Sequence, residues 1–598
     1  MSASRGCNTP SLKARAKGVF GMGLGMGKQE GIIDTAALNR RAFLFRVVGT
    51  GAAGSAVLLS GCGTDDGPIP EFKFGVASGD PLADRVVIWT HARFPDRLDD
   101  VPLEWEVATD SSFTSLAASG QAVARAEHGH TVKVDVGGLR PGTSYFYRFR
   151  YAGVLSPTGQ TRTLPTGQVE RIRLAVFSCS NYPAGFFHAY AEAVRSGAEF
   201  ALHLGDYIYE YGASGYASAD AQQLGRVVDP PHECLTLSDY RRRYALYRSD
   251  PDLQALHAAM PMIAVWDDHE VANDAWREGA ENHTEGSEGR YVERRQAALR
   301  AWLEWMPVRA PNPNDLREGY RAFDFGNLFS LYMLETRHLA RDLQVRFSDL
   351  LNPATAASAR STLTSPSRRL LGETQLNWLR DRMSASRGAW QVLGQQTLMA
   401  RMWFPVSVLR HLNPDNLTPA GVAAAQEAVA AYLAAKATAA TNPAALTAEQ
   451  RALLDPTLNP RLGYNLDAWD GYPAERERVL MLARSLGKRL ISLAGDTHNA
   501  WASDLTLADG SVVGHEFATP AVSSPGLENV LASLPPAQTR QIFLGVVDDL
   551  KLADTERRGF LLVEITPSAV SGTMHLLSTV KSRTYTVDRT LRRTVSAS

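Results

Sequence analysis

Four short apolar runs in this chain each break off into a cluster of oxygen, nitrogen or sulfur donors. Ile172 to Phe177 leads into Ser178, Cys179, Ser180 and Asn181, and Phe200 to Leu204 leads into Gly205, Asp206, Tyr207, Ile208, Tyr209 and Glu210. Met262 to Trp266 leads into Asp267, Asp268, His269 and Glu270, with Asn273 and Asp274 close behind. Leu490 to Ala494 leads into Gly495, Asp496, Thr497, His498 and Asn499. Short apolar runs bounded by turn residues read as buried strands, and open α/β sheets place ligands at the carboxyl ends of their strands. Leu328 to Leu334 and Trp390 to Leu393 are two more strand candidates, with helices expected around Arg290 to Trp305 and Glu373 to Met383. Beyond about residue 167 the pattern therefore predicts a layered domain of strands and helices.

The donor types at those strand ends point to cations. Buried carboxylates without a partner are costly, so a cluster of them wants positive charge. Asp206, after a glycine turn, is placed to bridge two metals. Thiolate from Cys179 and phenolate from Tyr209 bind only when deprotonated, which favours a strongly Lewis-acidic ion such as ferric iron. His498 adds an imidazole, and Asn273 a neutral oxygen that suits a harder ion such as calcium. Closely spaced metals clamp phosphoryl oxygens and acidify a bound water.

The chain upstream has a different texture. From Phe72 to about Pro165, Val86 to Thr90, Leu103 to Val107, Thr131 to Val136 and Tyr145 to Arg150 are rich in strand formers and separated by turn residues, which predicts a β-sandwich over 72–166. Residues 62–71 read as a tether. Residues 1–61 read as an export signal: eight basic side chains precede an apolar run from Val47 to Leu59, too short to span a bilayer. Arg40 and Arg41 resemble a twin-arginine signal, and Leu59 to Cys62 a lipobox whose cysteine is lipidated after cleavage. The formal charge of -1 then belongs to the signal, because losing eight of 62 basic and two of 63 acidic side chains leaves 54 against 61. That balance excludes a simple electrostatic nucleic-acid binder. Residues 418–450 read as an alanine-rich helical insertion, with Val422, Val429 and Leu433 on one face.

The ordered set of SCSN, GDYIYEY, WDDHE with Asn273, and GDTHN resembles the PhoD-type alkaline phosphatases and phosphodiesterases of the metallophosphoesterase superfamily. Ser78 to Pro81, Leu371 to Gln375, Asp467 to Tyr472 and Glu516 to Thr519 extend the likeness from Phe72 to about residue 585. Leu139 to Tyr145 resembles the turn-and-tyrosine segment of fibronectin type III domains, and the family resemblance implies a β-sandwich followed by a four-layer α-β-β-α catalytic domain over 167–590, holding one ferric and two calcium ions. It implies Cys179, Asp206, Tyr209, Asn273, Asp496 and His498 as metal ligands, the last two divided between iron and calcium in a way it leaves open. Asp268 and His269 stand where relatives carry Asn-His, so Asp268 is a candidate ligand or catalytic group. His269 stabilises either the leaving oxygen or a ligand. Glu335 stands where Asp is usual, and Arg337 either binds phosphate or pairs with Glu335 or Asp342. Asp470 and Tyr472 line the substrate pocket or pack as a loop, and Cys234 is a bystander.

The expectation is thus an exported, membrane-attached phosphohydrolase, lipidated at Cys62 and delivered to the periplasm or cell surface by the twin-arginine machinery. It would cleave phosphate monoesters or diesters with a metal-bound oxygen nucleophile. The alternatives are a phosphodiesterase or phospholipase D-like enzyme of the same fold and, more distantly, a non-catalytic surface lipoprotein.

Overall fold

The alternation of apolar runs and helices resolves, in a computed structural model, into two large sheets with helices outside them. The structure describes residues 69–96, 98–412 and 417–597. Arg40, Arg41, Cys62 and the rest of the expected signal lie outside the described residues. Among the described residues no helix is long and apolar enough to cross a membrane.

The first sheet has nine strands. Their order is Val587–Ser596, Ala569–Leu577, Gly559–Ile565, Ile172–Phe177, Phe200–His203, Met262–Ala264, Val76–Gly79, Arg85–His91 and Thr131–Gly137. The three central strands are parallel, with His203 opposite both Phe177 and Ala264. Their carboxyl ends therefore lie side by side, and three of the four donor motifs emerge along one edge. The second sheet has seven strands in the order Arg321–Phe325, Phe329–Met333, Trp390–Gly394, Arg489–Ala494, Val512–Ala518, Ala500–Thr506 and Leu550–Asp554. The fourth donor motif follows its central strand.

Burial on both faces explains why the motif-bearing strands are apolar throughout rather than alternating. Leu174, Val176, Leu202 and Ile263 of the first sheet pack against Leu331, Val392, Ile491 and Phe517 of the second. Their neighbours Ala175, Phe177, Ala201 and Met262 turn the other way. They meet Tyr190, Tyr244, Leu253 and Trp302 on helices His188–Arg195, Leu237–Arg248, Pro251–Ala259 and Tyr291–Trp305. The outer side of the second sheet is covered by Leu379, Met383, Val479 and Leu480 from helices Gly372–Ala385 and Pro473–Ser485. Each such large side chain contributes about 1.5–3 kcal/mol on burial.

The segment 72–166 is not a self-contained sandwich. Its strands Val101–Ala108, Leu116–Ala124, Ser144–Tyr151, Val154–Leu155 and Gly159–Arg162 form a separate sheet. Its other three strands are the far edge of the nine-stranded sheet, joined to it where Gly79 pairs with Met262. The cause is visible in Arg85–His91, which is buried on both faces. Val86 and Ile88 pack against Leu103, Tyr145 and Phe149 of the smaller sheet. Trp89 points to the opposite side, into the helix-covered core, and its indole donates to the Glu304 carbonyl at 2.8 Å. A strand with two apolar faces needs cover on both, which an isolated two-sheet sandwich does not supply.

The alanine-rich insertion forms the helix Pro419–Thr441, capped by Thr418, whose side chain accepts from the Gly421 amide. A second short helix, Ala448–Leu454, starts at a capping box between Thr447 and Gln450. Val422, Ala425, Val429 and Tyr432 are buried, and the last three pack with Phe404, Val408 and Phe543. Leu433 is only partly buried beside them.

Candidate metal and phosphoryl centre

At the ends of the central strands the backbone turns sharply enough to enter the left-handed region at non-glycine residues. Cys179 has φ 60°, Asp206 φ 54°, Asp274 φ 51°, Asp496 φ 65° and His498 φ 62°. Each costs of order 1–3 kcal/mol unless its surroundings enforce it, and such strain gathers where side chains must converge. Two glycines permit the convergence. A Cβ on Gly205, itself at φ 107°, would lie 2.3 Å from the Asp267 Cβ. One on Gly495 would lie 2.6 Å from the Ser178 Cβ, so the loops of the two sheets meet at that point.

The side chains brought together form three overlapping groups. In each, one ligand atom per residue lies within 4.8 Å of the others: Cys179, Asp206 and His498; Asp206, Asp268 and His269; Asp267, Asp268 and Asp496. Asp206 and Asp268 are each shared by two groups. The Tyr209 hydroxyl lies 3.1 Å from Asp206 Oδ2 and 3.2 Å from His498 Nε2, beside the first group. His498 Nδ1 meets the Pro525 carbonyl at 2.7 Å, which requires the proton on Nδ1 and leaves the Nε2 lone pair for the cluster. Burial holds His498 neutral, with its pKa pushed down to about 3.

Negative charge exceeds positive charge here. Burial and neighbouring carboxylates push Asp206 and Asp267 well above the usual carboxylate range, and burial with Asp467 takes Asp496 to about 7. Asp206 Oδ1, Asp267 Oδ2 and Asp268 Oδ1 are buried and accept no hydrogen bond from any described residue. Burial and Asp206 push the Cys179 thiol and the Tyr209 phenol well up. Orphaned carboxylate oxygens beside a thiol, a phenol and a neutral imidazole make a donor set that fits cations.

The charge of Arg337 is already committed to this cluster. Fully buried, it pairs with Asp467 at 2.8 Å and Asp267 at 2.5 Å, and approaches Asp268 at 3.6 Å and Asp496 at 3.8 Å. It binds neither Glu335 nor Asp342 through its guanidinium, whose ion pairs run to Asp267 and Asp467. Glu335 instead accepts from the backbone amides of Arg337, His338 and Leu339. Asp470 and Tyr472 are also structural. Asp470 accepts from the Met402 amide and the Trp403 indole, while the Tyr472 hydroxyl donates to the Asp342 carbonyl and its ring lies under Arg368.

Glu210 organises one side of the site, a role its position in the motif did not reveal. Wholly buried, it takes His269 Nδ1 at 2.7 Å, the Asn273 amide at 2.9 Å and the Asn282 carboxamide at 2.8 Å. Burial disfavours a charged His269, but Glu210, Asp268 and Asp206 outweigh it and hold the ring protonated well above its ordinary range. His269 also stacks on Tyr209, ring centres 4.1 Å apart. The Asn273 carboxamide nitrogen donates to Glu281 at 3.2 Å. Two other residues escaped the sequence: Tyr216, whose hydroxyl lies 3.3 Å from His498 Nδ1, and Ser524, bonded to the Tyr209 hydroxyl at 2.7 Å. Both come from loops with no strand to announce them.

The cluster opens on a cleft of about 1390 Å³, with Asp274, Asp467 and Asp496 in its wall. Cys234 is buried apart from the three groups, its amide bonded to the Glu210 carbonyl.

The profile of a family described as PhoD-like phosphatase matches residues 174–574, and that of its N-terminal domain matches residues 60–165. Alkaline phosphatase D of Bacillus subtilis (strain 168) is 35% identical over 473 residues, covering 76% of this chain and 70% of the relative. A solved structure titled "Structure of PhoD" superposes with a TM-score of 0.69 at 31% identity, covering 89% of this chain and 91% of the other.

Proposed function

The chain belongs to the PhoD-like phosphatase family, and from that premise we infer that its carboxylate cluster is a metal-assisted centre for phosphoester hydrolysis. The chain is a phosphoric ester hydrolase. The observation that carries the metal reading is the sharing of Asp206 and Asp268 among three donor groups in which Asp206 Oδ1, Asp267 Oδ2 and Asp268 Oδ1 are buried without a hydrogen-bond donor.

Cys179, Asp206, Tyr209 and His498 would hold a ferric ion, since that group alone contains a thiol and a phenol. Asp206, Asp267, Asp268, Asn273 and Asp496 supply oxygens that suit two calcium ions. Bound cations would offset the carboxylate charge, draw in the phosphoryl oxygens and acidify the attacking water. Arg337 keeps Asp267 and Asp467 in place between the groups. His269, oriented by the Glu210 carboxylate, would donate to the leaving oxygen as the ester bond breaks. The products are an alcohol and a phosphate, or a phosphate monoester when the substrate is a diester.

The larger organisation is read in the same way. The three apolar cores support a four-layer α-β-β-α body over 167–590. The Tyr145 hydroxyl, which accepts from the Arg140 amide at 2.9 Å, supports a fibronectin type III-like corner in 72–166. Twin-arginine export, lipidation at Cys62 and a periplasmic or cell-surface location rest on the sequence of 1–61.

The test is elemental analysis of the exported protein combined with its visible spectrum. Iron and calcium are expected, with a charge-transfer band that weakens or shifts in Cys179→Ala, which should lose at least 100-fold of the activity. Zinc alone, with no band, overturns the iron assignment. The ratio of hydrolysis of a chromogenic monoester to the matching diester separates phosphatase from phosphodiesterase, and Edman or mass analysis of the mature amino terminus tests Cys62.

A further inference from the structure

We propose that the helix Leu237–Arg248 sets the spacing between the thiol and phenol donors of the iron group, with Tyr247 and Arg243 as the positioning residues. The proposal rests on the iron reading above. It starts from how the two donor loops leave the sheet. They run side by side: the Cys179 amide donates to the Gly205 carbonyl at 3.2 Å, and the Ser180 amide to the Asp206 carbonyl at 2.9 Å. The Ser180 hydroxyl donates to the Tyr207 carbonyl at 2.9 Å. A few residues further on, both loops reach the same atom. The Tyr247 hydroxyl accepts from the Tyr182 amide at 3.1 Å and from the Tyr209 amide at 3.2 Å. Tyr182 lies three residues past Cys179 and Tyr209 three past Asp206, the two residues whose backbones are left-handed. A hydroxyl oxygen has two lone pairs, so one side chain joins the two strained loops at matched positions.

Arg243 stands one turn earlier on the same helix, where residues four apart share a face. Fully buried, it donates through Nη1 to the Tyr209 carbonyl, through Nη2 to the Pro230 carbonyl at 3.0 Å and through Nε to the Asp229 carbonyl at 3.2 Å. Buried arginines nearby meet carboxylates instead: Arg226 pairs with Asp250 at 2.8 Å and Arg294 with Glu233 at 2.6 Å. Arg243 directs its charge at backbone, and part of that backbone is Tyr209. The amide and the carbonyl of Tyr209 are therefore both held by one helix. Its backbone cannot turn without leaving a buried polar group unpaired, which is costly. The helix is itself anchored, by the capping box of Thr236 and Asp239 at its start and by the Tyr240 hydroxyl, which donates to the Val271 carbonyl.

The test uses the metal-replete full chain. Tyr247→Phe removes one oxygen and keeps the ring that packs on Tyr182 and Phe187 at 5.5 and 5.8 Å. It should still bind iron, with the charge-transfer maximum moved and kcat about 10-fold lower at nearly unchanged KM. Arg243→Lys keeps the charge but offers one nitrogen to three carbonyls, and should move the band as well. In the metal-free protein, hydrogen exchange over residues 179–184 and 206–211 should quicken together in Tyr247→Phe. Tyr145→Phe is the control. It also removes a buried phenol that accepts a backbone amide, from Arg140 at 2.9 Å, but in the amino-terminal segment, and should leave the band in place. A band unmoved in Tyr247→Phe or in Arg243→Lys overturns the role of that residue and leaves the iron reading standing. Exchange that quickens in only one of the two segments, or a band that moves equally in Tyr145→Phe, overturns the proposal as a whole. A parent protein without the band overturns both the proposal and the iron reading. If Tyr247→Phe does not fold, the band of Arg243→Lys decides.

Discussion

Glu210 is the residue through which a motif becomes a geometry. Its two oxygens collect the His269 ring, the Asn273 amide and the Asn282 carboxamide, so it sets both the orientation and the charge of His269. Glu210→Gln should lower kcat about 10–100-fold with little change in KM, the usual cost of losing an outer partner of a metal-site group. A far-ultraviolet spectrum and melting curve close to those of the parent would separate this from unfolding. Gly205→Ala should act on folding instead, because its φ of 107° and the 2.3 Å approach to Asp267 Cβ leave no room for a methyl. Denaturant titration is expected to show a loss of about 2 kcal/mol or more. At this scale the sequence was informative where a donor directly follows an apolar strand, as with Cys179, Asp206, Asp496 and His498. It was uninformative where a polar residue lies in a loop. Asp470 and Asp467 stand three residues apart in one segment, yet the first accepts from the Met402 amide and the Trp403 indole and the second joins the Arg337 network. Nothing local distinguishes a carboxylate that caps a turn from one that faces a charge.

The elements that carry the site were legible because their apolar runs are short, bounded and buried on both faces. The expected Arg290 to Trp305 helix is observed as Tyr291–Trp305, and Glu373 to Met383 as Gly372–Ala385. What a run of strand formers cannot declare is which sheet it joins. Val86 to Thr90 reads equally well as a sandwich strand or as a sheet extension, and only the contact of Trp89 with the helical core decides. Trp89→Ala should therefore cost about 3–5 kcal/mol, more than a strand of a peripheral domain would, and should lower the single melting transition of the whole protein. The insertion helix makes a milder prediction. Thr418→Ala removes the side chain that accepts from the Gly421 amide, and about 1 kcal/mol of stability should go with it, measured by thermal melting at fixed metal concentration.

For the whole molecule, the nine-stranded sheet runs from the catalytic strands directly into the amino-terminal segment. Deleting 72–166 would expose the flank of Met262–Ala264, which Gly79 covers, and leave an open sheet edge. Such a truncation should be insoluble or rapidly proteolysed rather than an active core, whereas a separable domain would leave activity intact. Removing the proposed metals should lower the melting temperature of the whole chain rather than loosen one loop, since the donors come from both sheets. Back-titration with calcium and iron should restore it. The strand order also has a temporal consequence. One edge of the sheet is formed by residues 131–137 and the other by residues 587–596, with the earliest strand held between residues 262–264 and 85–91. A chain emerging from the ribosome cannot finish this sheet until residues 587–596 have been made, nor gather donors as far apart as Cys179 and His498 until residue 498 has been made. A nascent chain pulled away during translation would leave as a partly built sheet, whereas a transporter that takes only folded chains would receive the site already assembled.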